Sequence, residues 1–347
     1  MDLSLFFAGT GGSMPSPRRG LPAILLRRGS DRLLFDCGEG TQRQLMRSVG
    51  LADLDCVFVT HFHADHWLGL PGMLKSFGLR EREQPFAVYG PRGLLRIMEE
   101  ARFMYGRLPY DLRVAELDPG ETVAFDGFEV AAVPVEHRNN NAYGYAIVEE
   151  SRPGHLDPAL AERLGVTPGP DFGRLTRGET VAGVAPEQVM GPTREGRKIV
   201  ISGDTSPSEM LTIAAHQADV LVHESTFAEE EIERARQTGH STARQAATVA
   251  REAQARLLAL THISTRYPGG DLRDEARSVF ANTEAPRDFD TIDVPFPEKG
   301  SAELIRWSDR HRDARLTSGQ SSEAESVDAS GDAPAELDTP TEPVASP

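Results

Sequence analysis

Short apolar runs recur along the first three-quarters of the chain, at 3–7, 23–26, 33–35, 56–60, 86–89, 130–135, 142–148, 198–202, 220–223 and 257–261. Their length, their branched side chains and the Gly, Asp and Asn that flank them predict strands. Between some of them, apolar positions return at helical spacing, over 41–49, 67–77, 93–104, 207–217 and 242–255. The pattern is that of an α/β chain with many strands and no strict internal repeat. It breaks between about 150 and 196, where Gly, Pro and charge dominate and only 158–164 has a helical spacing. A long irregular insertion inside a compact domain is usually functional or disordered. The pattern ends at 318–347, which holds seven Asp or Glu and no Lys, Arg or aromatic residue. Such a segment cannot bury enough apolar surface to offset its ordering entropy, so a disordered acidic tail is expected.

Composition sharpens this picture. Apolar residues are 39% of the 347, enough for a core. No apolar stretch approaches the ~20 residues that span a bilayer. The first residues carry no basic lead or cleavable apolar segment, so a cytoplasmic protein with no membrane partner is expected. Two cysteines, Cys37 and Cys56, are too few for a Cys-rich zinc site or a disulfide framework, so any metal must be held by His and carboxylate. The net charge is −16, and the only lysines are Lys75, Lys198 and Lys299. Excess carboxylate with scarce lysine fits a halophile's protein, where salt screens the self-repulsion. A GC-rich genome, which favours Arg over Lys, is the other reading. Either way, nucleic-acid binding would require local basic patches.

The residues with chemistry follow the ends of the strand-like runs. The run at 56–60 leads to His61, that at 130–135 to His137, that at 198–202 to Asp204 and that at 257–261 to His262. In α/β sheets, ligands gather at the carboxyl ends of strands. The densest cluster is His61-Phe62-His63-Ala64-Asp65-His66. Four ligands within six residues crowd one ion but can feed two, with His61 and His63 on one and Asp65 and His66 on the other. Imidazole and carboxylate suit zinc, with manganese or iron as alternatives. Asp204 is the candidate bridging carboxylate. The competing reading, a solvated His-rich turn, leaves the other strand-end His and Asp without a purpose. His223, one position from Glu224 on a strand, faces the opposite side and reads as structural. His155, His216 and His311 read as surface residues.

At HFHADH the chain resembles the metallo-β-lactamase superfamily, which implies a four-layer αββα sandwich. More narrowly it resembles the short form of ribonuclease Z, the endonuclease that removes 3′ trailers from precursor tRNA. The resemblance rests on FFAGTGGSMP at the start, LLFDCGEGTQRQL at 33–45, THFHADHWLGLPG at 60–72, VEHR at 135–138, ISGDT at 201–205, HESTF at 223–227, GHST at 239–242, THIS at 261–264 and FANTEAPRDF at 280–289. It implies a catalytic domain over 1–308 and two Zn2+ per subunit, with Mn2+ as the alternative. The first ion takes His61, His63 and His137, the second Asp65, His66 and His262, and Asp204 bridges them. Asp65 would also accept a proton from the attacking water, while His240, backed by Glu224, would protonate the leaving 3′ oxygen. The products would be a tRNA 3′-hydroxyl and a trailer 5′-phosphate.

The resemblance also implies how RNA is held. The turn carrying Arg18 and Arg19 would sense the 3′ end, although many members have Asn where this chain has Gly20. The insertion resembles the flexible arm that grips the tRNA elbow and works across a homodimer. Lysines common in such arms are missing, which leaves Arg174 and Arg177 to meet the phosphates. Precursor tRNA is the expected partner, with no DNA. Two other readings were weighed: a small-molecule hydrolase of the same fold, and a non-catalytic RNA-binding subunit. The arm and GHST disfavour the first; the complete ligand set disfavours the second.

Overall fold

The computed structural model describes residues 1–51, 54–138 and 141–309. The expected acidic tail and His311 lie outside the described residues. Fifteen strands are present among the described residues: β1 Leu3–Gly9, β2 Ala23–Arg28, β3 Asp31–Phe35, β4 Cys56–Phe58, β5 Phe86–Gly90, β6 Leu112–Glu116, β7 Thr122–Phe125, β8 Phe128–Pro134, β9 Tyr143–Glu149, β10 Lys198–Ile201, β11 Val220–Glu224, β12 Leu258–Thr261, β13 Thr283–Glu284, β14 Thr291–Asp293 and β15 Glu303–Ile305. They form two mixed sheets, in the orders β15-β14-β1-β2-β3-β4-β5-β6 and β13-β12-β11-β10-β9-β8-β7.

The alternation of side chains explains the layering. On β1, Leu5 and Phe7 face the second sheet and pack with Tyr145, Ile199 and Val222, while Phe6 and Ala8 face outward onto helices. Helix Gly69–Leu79 covers the outer face of the first sheet through Leu70, Met73, Leu74 and Phe77. Helix Ala243–Glu252 covers the second sheet, and its four alanines allow close approach. The result is the four-layer αββα sandwich. All ten expected runs are strands. β6, β7 and β13–β15 are not evident in the pattern because they are short, with alternating or polar sequence, and all but β14 lie at a sheet edge.

Sheet directions decide where function can sit. β8 runs antiparallel to β9, β9 antiparallel to β10, and β10, β11 and β12 are parallel. The ends of β8, β10, β11 and β12 therefore share one edge, and the end of β9 lies at the other. The 150–196 insertion leaves from that far edge. It is not the irregular segment expected from the sequence. Besides helix Pro158–Arg163 it contains helices Pro170–Thr176 and Pro186–Val189. These close a core of their own around Ala161, Val166, Leu175, Val181, Val184 and Val189.

The insertion is tied down at its root. Glu149, at the end of β9, accepts from Arg28 Nε at 2.7 Å and from Arg197 Nε and Nη2 at 2.7 Å each. Burial opposes the ionised Glu149, and the two guanidiniums overcome it and hold its pKa low. The guanidiniums of Arg152 and Arg197 stack on Phe296, 3.5 and 3.9 Å from its ring centre.

Candidate metal centre

All the expected ligands meet at the edge where β4, β8, β10 and β12 end. The donor atoms of His61, His63, His137 and Asp204 lie within 4.8 Å of one another, as do those of Asp65, His66 and His262. Asp204 Oδ2 is 3.3 Å from the Nε2 atoms of both His66 and His262 and 3.8 Å from that of His61. It stands within reach of both groups.

Local backbone contacts place the HFHADH turn. The chain leaves β4 extended through His63 and then enters the short helix Ala64–Trp67. Cys37 N–H donates to the His66 carbonyl at 2.7 Å, and Gly69 N–H to the Cys37 carbonyl at 2.9 Å. A Cβ on Gly69 would come within 2.1 Å of the Gly38 carbonyl oxygen, so glycine is required for this approach.

The outward nitrogens fix the tautomers of four ligand histidines. His137 Nδ1 lies 2.7 Å from the Gly239 carbonyl, which can only accept. His66 Nδ1 lies 2.7 Å from Asp36 Oδ2, and His262 Nδ1 lies 2.8 Å from Thr226 Oγ1, whose own proton goes to Glu224. His61 Nδ1 lies 3.0 Å from Thr60 Oγ1, whose proton goes to Asp36. Each Nδ1–H is thus spent outward and each Nε2 lone pair is turned inward, as metal ligation requires. His61 Nε2, His66 Nε2 and Asp204 Oδ1 are buried with no hydrogen-bond partner. Buried polar atoms are nearly always paired, so these three fit a bound cation.

Electrostatics points the same way. Burial, then neighbouring imidazoles, push His61 well below the usual histidine range, and burial likewise lowers His63 and His137. Neutral imidazole is the ligating form. For His66, burial is outweighed by the Asp204 and Asp36 carboxylates, which raise it. Asp204 and Asp65 are both held low against burial by the surrounding histidines. The buried Asp204 and half-buried Asp65 carboxylates therefore demand positive charge here, which divalent ions would supply.

His240 sits beside this cluster, just before the Thr242 N-cap of helix Ala243–Glu252. Its Nδ1–H donates to Glu224 Oε1 at 2.8 Å. Glu224 also accepts from Thr205 N, Thr226 N and Thr226 Oγ1 at 3.1, 3.0 and 2.7 Å, which locks its carboxylate. Burial disfavours a charged His240, but the Glu224 carboxylate lifts its pKa to about 9. It is a half-buried imidazole whose charged form is favoured, and it lines, with His63, an open cleft of about 400 Å³.

Four non-glycine residues with left-handed backbone border the site: Ser13, Asp36, Arg138 and His262, with φ of 62°, 59°, 52° and 54°. Such strain gathers at functional sites. Ser13 N–H donates to Asp65 Oδ2 at 2.7 Å. Sequence reasoning missed Asp36, Thr60 and Thr226. The FDCGEG and HESTF strings contain two of them at strand ends, which is the only signal they carry.

The four arginines expected to hold substrate fare differently. Arg18 is exposed, and half-buried Arg19 bonds Thr10 Oγ1 and the Pro286 carbonyl. Arg174 and Arg177 are on the insertion, away from the cluster, paired with Glu179 at 2.9 and 3.3 Å. His223 is buried, with Nδ1 2.7 Å from its neighbour's carbonyl, while His155 and His216 are exposed.

The chain is similar to known proteins over most of its length. A sequence profile described as a beta-lactamase superfamily domain matches residues 31–156. An Archaeoglobus fulgidus protein named Ribonuclease Z is 45% identical over 307 residues, which span 86% of this chain and all of that one. A Halorubrum lacusprofundi protein of the same name is 44% identical over 308 residues, 86% of this chain and 99% of its own. Among solved structures, human tRNase Z, short form, superposes with a TM-score of 0.62 at 30% identity, covering 84% of this chain and 99% of that one.

Gly12 offers a direct check on the cluster. A Cβ there would lie 2.4 Å from His262 Nδ1, so Gly12→Ala should displace that ring and lower the metal bound per chain. Elemental analysis of the folded variant measures it; wild-type metal content would refute the placement of His262.

Proposed function

This chain belongs to the ribonuclease Z family, and on that premise we propose that it cuts precursor tRNA just after the discriminator nucleotide. The cut leaves a 3′-hydroxyl on the tRNA and a 5′-phosphate on the trailer. The carrying observation is the cluster of inward-facing His and Asp donors with the His240–Glu224 pair beside it. His61, His63 and His137 would hold one zinc ion, Asp65, His66 and His262 a second, with Asp204 shared; manganese is the alternative metal. Two such ions would polarise the scissile phosphodiester and acidify a shared water.

The chain's own groups do the rest. Asp65, fixed by the Ser13 amide, orients the attacking water and takes its proton. His240 gives its proton to the leaving 3′ oxygen, and Glu224 holds the imidazole charged and aimed. Asp36 and Thr226 fix ligand rings from behind. Such an enzyme would work in the cytoplasm, and no helix among the described residues is long and apolar enough to cross a membrane.

The insertion supports a homodimeric reading. It is rooted at the sheet edge opposite the metal cluster, so an arm that grips the tRNA elbow would serve a site it does not share a protomer with. Arg174 and Arg177 are paired with acids, which favours shape over charge in that grip.

Three outcomes are expected. Incubation with a 3′-extended precursor should place the cut after the discriminator nucleotide; cleavage elsewhere, or none with metal supplied, would refute the activity. His240→Ala should lose roughly 10²–10⁴-fold on RNA, the usual worth of a general acid. It should lose far less on bis-p-nitrophenyl phosphate, whose leaving group needs no proton; equal losses would make His240 structural. For the dimer, an arm-deleted chain joined at the Gly154–Gly191 close approach should regain tRNA cleavage when mixed with His240→Ala. No recovery, with mixed dimers demonstrated, would sink the shared arm.

A further inference from the structure

A second cleft, of about 980 Å³, adjoins the catalytic one. The two share Ser264, Thr265 and Arg266 in their walls, so they are direct neighbours. Six arginines line the second cleft, Arg18, Arg19, Arg266, Arg273, Arg287 and Arg306, and no Asp or Glu does. In a chain of net charge −16 this is a marked local reversal. Arg266 pairs with Glu231 at 3.2 Å, Arg306 with Asp290 at 2.8 Å and Arg273 with its neighbour Asp274 at 2.8 Å. The guanidiniums of Arg18 and Arg287 make no ion pair among the described residues. Burial, with Arg287 and Arg306 nearby, lowers Arg19 despite Asp288. A cluster of guanidiniums, two of them without an ion pair, calls for an anion.

Shape and direction identify it. A cleft this size admits a few nucleotides of single strand but not a duplex. Tyr267 is the one aromatic residue in its lining, so the cleft offers many phosphate contacts and no row of rings on which successive bases could stack. In the lining of the catalytic cleft, Arg138 Nε donates to the Thr238 carbonyl, two residues before His240, and Gly12 N–H donates to the Ile263 carbonyl, next to Ser264–Arg266, which gives one wall around His240 and another around Gly12 and Ser264. If His240 faces the leaving 3′ oxygen, the first wall belongs to the tRNA. The second wall leads to the arginines. We propose that this arginine cleft holds the backbone phosphates of the single-stranded 3′ trailer downstream of the scissile bond, independent of its sequence. The proposal rests on the tRNA 3′-processing reading.

The test pairs two precursors that share one tRNA body, with a one-nucleotide trailer and a long one. Arg287→Ser with Arg273→Ser should lower kcat/KM about tenfold on the long trailer and leave the short one near wild type. For the long trailer, the slope of log kcat/KM against log salt should become shallower by about 0.7 per arginine removed. Arg96→Ser with Arg113→Ser, the same charge change on exposed pairs elsewhere, should change neither substrate. Equal losses on both trailers would mean that the cleft binds the tRNA body, and no loss on either would mean that it binds no RNA; both overturn the proposal. Failure of the tRNA reading looks different: wild-type protein would then cut neither precursor.

Discussion

The Asp204 carboxylate is the charge around which the rest of this molecule is arranged. It is buried to 2% exposure, and imidazoles of His61, His66, His240 and His262 stand within 3.8 Å of it. A carboxylate so far from water is costly unless positive charge meets it. The fold answers by ending four strands around it and turning the rings of His61, His66 and His262 so that a lone pair, not a proton, faces inward. Every hydrogen bond behind those rings serves this arrangement, from Asp36 on one side to Thr226 on the other.

Thr226 shows how the two halves of the site are linked. Its hydroxyl receives from His262, on the metal side, and donates to Glu224, on the acid side. One proton position therefore sets both the ligand tautomer of His262 and the carboxylate that charges His240. The His/Asp cluster and the His240–Glu224 pair share a single hydroxyl between them.

Much of this was legible in the sequence because it follows strand ends. The ten apolar runs became strands, and HFHADH, His137, Asp204 and His262 sit where those strands finish. The parts that were not legible depend on contacts distant in sequence. Asp36 matters only because it meets His66, and Thr226 only because it meets His262. The insertion misled for a different reason. Its helices are four to seven residues long and each begins with proline. Such pieces show no extended periodicity, and their small core appears only once they pack together. The arginine cleft was also hidden, since its members come from 18–19, 266–273, 287 and 306, and only the fold brings them together.

The parallel array β10–β11–β12 carries Asp204, Glu224 and His262, while His61 comes from the other sheet some two hundred residues before the last of them. Parallel strands joined by crossovers pair late, because long loops must close before the contacts form. No fragment or partly folded chain can present this ligand set. The metal is then a seal on a finished chain: by binding only the native arrangement, it withdraws that state from the folding equilibrium. A metal-starved cell would accumulate complete chains that remain open to unfolding and proteolysis, and the pool of working enzyme would follow metal supply through protein lifetime as well as through catalysis.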